Sequence, residues 1–132
     1  MRCLFPQHQN VIRVYGAETK ADDVIPFHLL AMEPCIEIGP DGVIRSRTLS
    51  AVVISDTDPL AYGAKIELLR QITRGLHYLH ANRDLAAHGL THRDLKPDNV
   101  LVKRLVNGDN VAKLAGACME GIARVSIHTS VY

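Results

Sequence analysis

The stretch from Thr91 to Val102 reads Thr-His-Arg-Asp-Leu-Lys-Pro-Asp-Asn-Val-Leu-Val, and two different periodicities meet in it. Upstream, Ile66, Leu69, Ile72, Leu76 and Leu79 recur every three or four residues, the spacing of one apolar helix face. Asp58-Pro59 offers an N-cap and a favoured first helical residue, so the spacing predicts a long helix near 60 to 81 with that face inward. Gly63 and Gly75 should each cost such a helix about 1 kcal/mol relative to Ala. Downstream, Asn99 to Lys103 alternates as a strand, Asn107-Gly108 reads as a type I′ turn, and Val111 to Ala115 returns, which predicts a hairpin spanning 99 to 115. A helix and a hairpin joined by a Pro-containing turn belong to the α+β class. The turn itself holds a carboxylate, Asp94, and a carboxamide, Asn99, which can face one phosphoryl group across it.

The preceding half is less periodic. Val11, Ile12 and Val14 are β-branched and predict a strand near 11 to 15. Residues 16 to 26, with Gly16, Lys20, Asp22, Asp23 and Pro26, read as a polar connection. Phe27 to Met32 is an apolar run that predicts a strand near 27 to 33, ending in Glu33-Pro34-Cys35. Gly39-Pro40-Asp41-Gly42 is a turn signal, and Thr48 to Ile54 predicts a short helix.

Composition narrows the class of function. With 132 residues, 47% of them hydrophobic, and a formal net charge of +1, the chain suits one soluble globular domain with a modest core, and no charge excess points to nucleic acid. Cys3, Cys35 and Cys118 are too scattered for a disulfide framework or a Cys-x-x-Cys zinc site, which fits a reducing, cytoplasmic setting. His77, His80, His88 and His92 lack the Cys or acidic partner that would complete a metal site. No run approaches the roughly 18 apolar residues of a membrane span, and Met-Arg-Cys-Leu-Phe-Pro is too short and interrupted for a signal peptide.

His92, Arg93, Asp94, Leu95 and Asn99 match, at their offsets, the catalytic loop of eukaryotic protein kinases, which this stretch resembles. The resemblance implies a protein kinase-like α+β fold, truncated, with residues 1–35 as the end of the N-lobe and the hinge, and 36–132 as the start of the C-lobe. It implies ATP and Mg²⁺ as cofactors and a protein as substrate. Asp94 would accept the substrate hydroxyl's proton, Asn99 would hold Mg²⁺, and Lys96 would sit near the transferred phosphate. Lys96-Pro97 is the form found in Ser/Thr kinases.

Further resemblances follow the same order along the chain. His8-Gln9-Asn10 is similar to the His-Pro-Asn turn of the family, with Gln9 in place of Pro. Met32 would be the gatekeeper, and the backbone C=O of Glu33 with the backbone N–H and C=O of Cys35 would meet the adenine edge, while Leu101 lay beneath the ring. Pro34 has no N–H, but that position does not normally use one. Asn82-Arg83-Asp84-Leu85-Ala86-Ala87 imitates a tyrosine-kinase loop within an insertion, yet lacks its first His and its metal-binding Asn, so Asp94 is the expected base. Ser126, Thr129, Ser130 and Tyr132 are candidate phosphorylation sites that Arg93 would pair with.

The chain also departs from the family. Where Asp-Phe-Gly is expected it has Gly116-Ala117-Cys118, and it carries neither a Gly-rich phosphate loop nor the N-lobe lysine. The expectation is a fragment of an ATP-dependent Ser/Thr kinase, with a pseudokinase-like nucleotide-binding or scaffold module, or a non-functional truncated product, as the alternatives. His8 to Glu18, the hinge Glu33-Pro34-Cys35 and the Leu68 to Leu76 segment look most like the stress-sensor family that joins a Ser/Thr kinase to an endoribonuclease, whose parent protein sits at the endoplasmic reticulum membrane. Isolated, the chain is expected to be marginally stable or aggregation-prone, because its helix face normally packs against further C-lobe elements.

Overall fold

The computed structural model describes residues 7–20, 27–55, 59–82 and 92–116. In chain order these form β1 (Val14–Lys20), β2 (Phe27–Met32), β3 (Ile36–Ile38), β4 (Ile44–Ser46), α1 (Leu49–Val53), α2 (Tyr62–Ala81), a 3₁₀ turn (Pro97–Asn99), β5 (Val100–Arg104) and β6 (Asn110–Leu114). Among the described residues the strands pair antiparallel and only with their sequence neighbours, β1 with β2, β3 with β4, β5 with β6.

The β5–β6 hairpin positions everything else. Its register sets Val100 opposite Leu114 and Val102 opposite Ala112, so these four side chains share one face, and all four are buried. That face packs on α2, where Leu68, Ile72, Gly75 and Leu79 form the buried stripe and Val52 of α1 joins them. The opposite face carries Leu101 and Lys113, a cross-strand pair, and Lys103. Leu101 there packs against a second, smaller cluster of Ile12, Val14 and Cys35. A sheet of two strands is thus sandwiched between α2 and the Ile12, Val14 and Cys35 cluster, and alternate residues serve the two sides.

The long helix, the short helix and the hairpin stand where the sequence predicts them; several details do not. The inward stripe of α2 includes Leu68 and Gly75, whereas Ile66 is 40% and Leu69 56% exposed. A period of 3.6 allows either stripe, and contact with β6 selects the one containing the smallest residue. At Gly75 a Cβ would lie 2.7 Å from the Asn10 backbone oxygen and 2.8 Å from Leu114 Cδ1, so the glycine is what lets the helix reach the hairpin. Helix α2 begins at Tyr62, with Ala61 as N-cap and no side-chain cap bond, so Pro59 lies outside it. Leu60 already packs on the core ahead of the first helical bond, from Lys65 N–H to Ala61 C=O. Asp58 lies outside the described residues.

The first strand also shifts. Val11 and Ile12 are not part of it, because the backbone pairs them instead with the end of β6: Ile12 N–H donates to Leu114 C=O at 2.8 Å and Leu114 N–H to Asn10 C=O at 2.9 Å. Strand β1 then runs to Lys20, through residues expected to be a polar connection, since β2 offers it a ladder from Met32 back to Phe27. The β3–β4 hairpin was not anticipated beyond its turn. That turn and the one between β5 and β6 share a design: Gly42 N–H donates to Gly39 C=O and Gly39 N–H to Val43 C=O, as Gly108 N–H does to Leu105 C=O and Leu105 N–H to Asp109 C=O. Each loop holds three residues and ends on a glycine at positive φ, 73° for Gly42 and 89° for Gly108, so Asn107-Gly108 is not a two-residue type I′ turn.

Candidate catalytic loop and hinge

The loop after α2 is a small hydrogen-bonded unit. Asn99 N–H donates to Lys96 C=O at 2.9 Å and closes the 3₁₀ turn that Pro97 starts. The Asn99 carboxamide then turns back, donating from Nδ2 to the Asp94 backbone C=O and to Asp94 Oδ2, both at 2.8 Å. Lys96 Nζ lies 2.9 Å from the same Oδ2. Asp94, Lys96 and Asn99 are therefore brought together as expected, with the carboxylate solvent-facing. Lys96 first, and Asn99 after it, hold the Asp94 carboxyl below the usual carboxylate range, and the same pairing raises the Lys96 ammonium above its ordinary value. Arg93 supplies the bend, at a φ of 47° that non-glycine residues rarely adopt.

Neighbouring elements fix this unit in place. Ala115 N–H donates to Asn99 C=O at 2.8 Å, tying it to the end of β6. Ser50 Oγ donates to Asp98 Oδ1, while Thr48 caps α1 through Oγ1 and Ala51 N–H and bridges to Leu101. His92 is buried. The tyrosine-kinase-like stretch around Asp84 and the hydroxyl-bearing residues from Ser126 to Tyr132 lie outside the described residues.

The hinge is built differently. Glu33 is buried and its carboxylate points inward, accepting from Arg13 N–H at 2.9 Å, with Lys113 Nζ at 2.9 Å from Oε1 and Lys103 Nζ at 3.5 Å from Oε2. Burial works to raise its carboxyl, but the Lys113 and Arg13 bonds and the charge of Lys103 outweigh it and leave Glu33 below its ordinary value. Cys35 is buried beside it, and burial followed by the Glu33 charge pushes its thiol up. Cys35 C=O accepts from Arg47 N–H at 3.1 Å, so of the three adenine-facing groups expected here, Glu33 C=O and Cys35 N–H are the two without a partner among the described residues. Leu101 packs against Cys35 and its neighbours, and Met32, opposite Val14, is 38% exposed.

Several supporting residues carried no local signal. Arg47 is a buried cation whose Nη1 donates to Asn110 Oδ1 at 2.7 Å and whose Nε lies 3.3 Å from Glu37 Oε2. Asn10 Nδ2 donates to Ala112 C=O at 3.0 Å and to Gln71 Oε1 at 3.3 Å, and that same oxygen accepts from Ala112 N–H at 2.8 Å. Apart from Glu37, which meets Arg47 across the β3–β4 hairpin, these partners are distant in sequence. The His-Gln-Asn turn was the one pointer to Asn10.

Whether the cofactors fit can be judged on the donors present. The hinge edge and Leu101 suit a flat purine. Mg²⁺ demands near-octahedral oxygen ligation, usually with one or two carboxylates. Here Lys96 is paired with the Asp94 carboxylate, Asn99 Nδ2 donates to it and leaves the amide Oδ1 as the one oxygen of that side chain for a cation, and position 116, where a further carboxylate is expected, is Gly at a φ of 88°. A Cβ there would lie 3.0 Å from Asn99 Cγ and Nδ2. No cluster of three or more His, Cys, Asp or Glu gathers as a metal site among the described residues. The residues fit the adenine part of the cofactor and not its metal.

The family model for the protein kinase domain matches residues 2–116. A serine/threonine-protein kinase/endoribonuclease of Caenorhabditis elegans is 33% identical over 95 residues, covering 72% of this chain and 8% of that protein. Its counterpart in Aspergillus fumigatus is 34% identical over 95 residues, covering 72% of this chain and 7% of that protein. A serine/threonine-protein kinase of Myxococcus xanthus is 42% identical over 69 residues, 46% of this chain and 9% of that protein. The chain thus spans a small part of the length of the relatives it matches.

Proposed function

The chain belongs to the protein kinase domain family, and on that premise we propose that it is the hinge and catalytic-loop segment of an ATP-dependent Ser/Thr protein kinase, able to hold adenine but not to transfer phosphate by itself. The observation that carries this reading is the Asp94–Asn99–Lys96 unit, with Asn99 and Lys96 both bound to one carboxylate oxygen. That arrangement leaves Asp94 Oδ1 to accept a proton from a Ser or Thr hydroxyl, and Lys96 to place positive charge near the transferred phosphoryl group. The parent reaction transfers a phosphoryl group from a nucleotide to a protein hydroxyl. The matched kinase/endoribonucleases support that branch of the family as the parent, with its stress-signalling setting.

Adenine would bind through Glu33 C=O and Cys35 N–H over Leu101, with Met32 at the inner edge. The Glu33 carboxylate does not touch the base; held by Lys113, Lys103 and Arg13, it fixes the direction of its own C=O. Phosphoryl transfer relies on positioning and charge stabilisation, and a base contributes about 10² to 10⁴ in rate. Gly116 offers no carboxylate to the metal that would supply most of that stabilisation.

A second reading, a non-catalytic adenine-binding or scaffold module, is favoured by Gly116 at positive φ against the Asn99 side chain. No helix among the described residues is long and apolar enough to cross a membrane.

The test is a radiolabelled ATP transfer assay to a generic Ser/Thr protein substrate, with Asp94→Asn beside the unaltered chain. No transfer above background is expected from either. Transfer that disappears in Asp94→Asn would overturn the inactive reading and establish the chain as an enzyme.

A further inference from the structure

A cavity of about 570 Å³ opens between α2 and the turn that carries His8. Thr73, Arg74, His77 and Tyr78 reach it from one stripe of the helix, and Asn82 closes its far end. His8 stacks on Tyr78, ring centroids 4.7 Å apart and planes 20° from parallel, so part of the lining is a flat ring pair. No carboxylate lines the cavity among the described residues. The nearest acid to Arg74, Glu67, is 4.0 Å from its Nη1, a loose contact that leaves donors available.

We propose that this cavity is a second ligand site, separate from the hinge, that takes a small aromatic molecule bearing a phosphate or carboxylate group. Its volume lies in the range of small-molecule sites, which are mostly apolar with a few placed polar groups. The anionic group belongs at the Arg74–Thr73 end, where a guanidinium can form charge-assisted bonds to an oxyanion. It does not belong at the Ala81–Asn82 end, because the last carbonyls of a helix carry partial negative charge. Those two ends are about 10 Å apart at 1.5 Å per residue, which leaves room for one aromatic ring between them against His8 and Tyr78. Burial first, and the charges of Lys113 and Arg74 after it, lower the His8 imidazole below its ordinary value, so positive potential already reaches the ring wall.

Such a ligand would bridge α2 to the His8–Asn10 turn, which Asn10 and Gln71 already join to β6. Its occupancy would therefore stabilise the contacts that join this turn to α2 and β6.

The experiment titrates the full isotope-labelled chain with phenyl phosphate and follows chemical shifts. Saturable shifts at His8, Arg74 and Tyr78 are expected, undiminished by excess adenosine. Arg74→Gln, which removes an exposed charge and leaves the helix intact, should weaken binding at least about tenfold, and inorganic phosphate alone should bind more weakly than phenyl phosphate. His77→Gln is a second variant, expected to retain binding if the anion sits at Arg74. No saturable shift, equal affinity in Arg74→Gln, inorganic phosphate binding as tightly, or displacement by adenosine would each overturn the proposal.

Discussion

The catalytic turn and the hinge are a few residues from each other across β5–β6, yet they are built on opposite terms. In the turn, a solvent-facing carboxylate is held by Asn99 and Lys96, its close sequence neighbours. At the hinge, a buried carboxylate is held by Arg13, Lys103 and Lys113, none of them nearby in sequence. A local polar turn can keep its shape with little help from the rest of the fold. A buried charge cannot, because removing its partners leaves it uncompensated in a poorly solvating site. The comparison separates a locally built polar turn from a buried charge on which the scaffold depends.

The largest expected effect therefore lies at the hinge. Glu33→Ala leaves the nearly buried Lys113 without its acid and should cost about 3 kcal/mol, read as a drop in the chemical denaturation midpoint. Next comes Gly75→Ala. Its new Cβ meets backbone at 2.7 Å and Leu114 at 2.8 Å. Overpacking costs about 1–3 kcal/mol and the gain in helix propensity returns about 1, so a net loss of about 1 kcal/mol is expected. The same substitution at Gly63, whose Cβ would meet nothing within 4 Å, should instead stabilise. A destabilising Gly63→Ala, or a harmless Gly75→Ala, would break the account of the helix contact.

Acid sharpens the comparison with smaller effects. Both Glu33 and His8 have folded values below their unfolded ones, so in each case the unfolded state binds the proton more readily. Stability should begin to fall as pH drops below 6.5, where unfolded His8 takes up its proton. It should fall further below 4.5 as Glu33 loses its contribution on the way to its folded value. His8→Gln should remove the first phase and Glu33→Gln the second, in denaturation midpoints followed from pH 8 to 3. The smallest effect belongs to the turn: Asp94→Asn should leave the midpoint unchanged, because that carboxylate is exposed. A large loss there would mean the turn carries the fold as well as the chemistry.

This difference also explains what was legible in the sequence. The catalytic turn is contiguous, so its residue identities state its geometry, and Asp94, Lys96 and Asn99 meet as read. Helix α2 was legible in extent but not in rotation: Leu68 against Leu69 is a choice that only the shape of β6 makes. Strand β1 was misplaced because Val11 and Ile12 find their partners at Leu114, on the far side of the chain. The clamp on Glu33 and the burial of Arg47 left no trace, since a charged residue in sequence reads as surface until its distant partners are known. Position 116 was legible as a missing carboxylate, and the fold adds that its backbone and Asn99 leave little room for one.

The central claim is that this kinase-family chain holds adenine without a metal-dependent grip on phosphate. It is tested most directly by calorimetric titration of the chain with adenosine and with ATP, each with and without Mg²⁺. The account predicts weak binding of similar strength for both ligands, insensitive to Mg²⁺ and reduced when Leu101 is replaced by Asp. ATP binding that tightens tenfold or more over adenosine on adding Mg²⁺, a gain of about 1.4 kcal/mol, would contradict it.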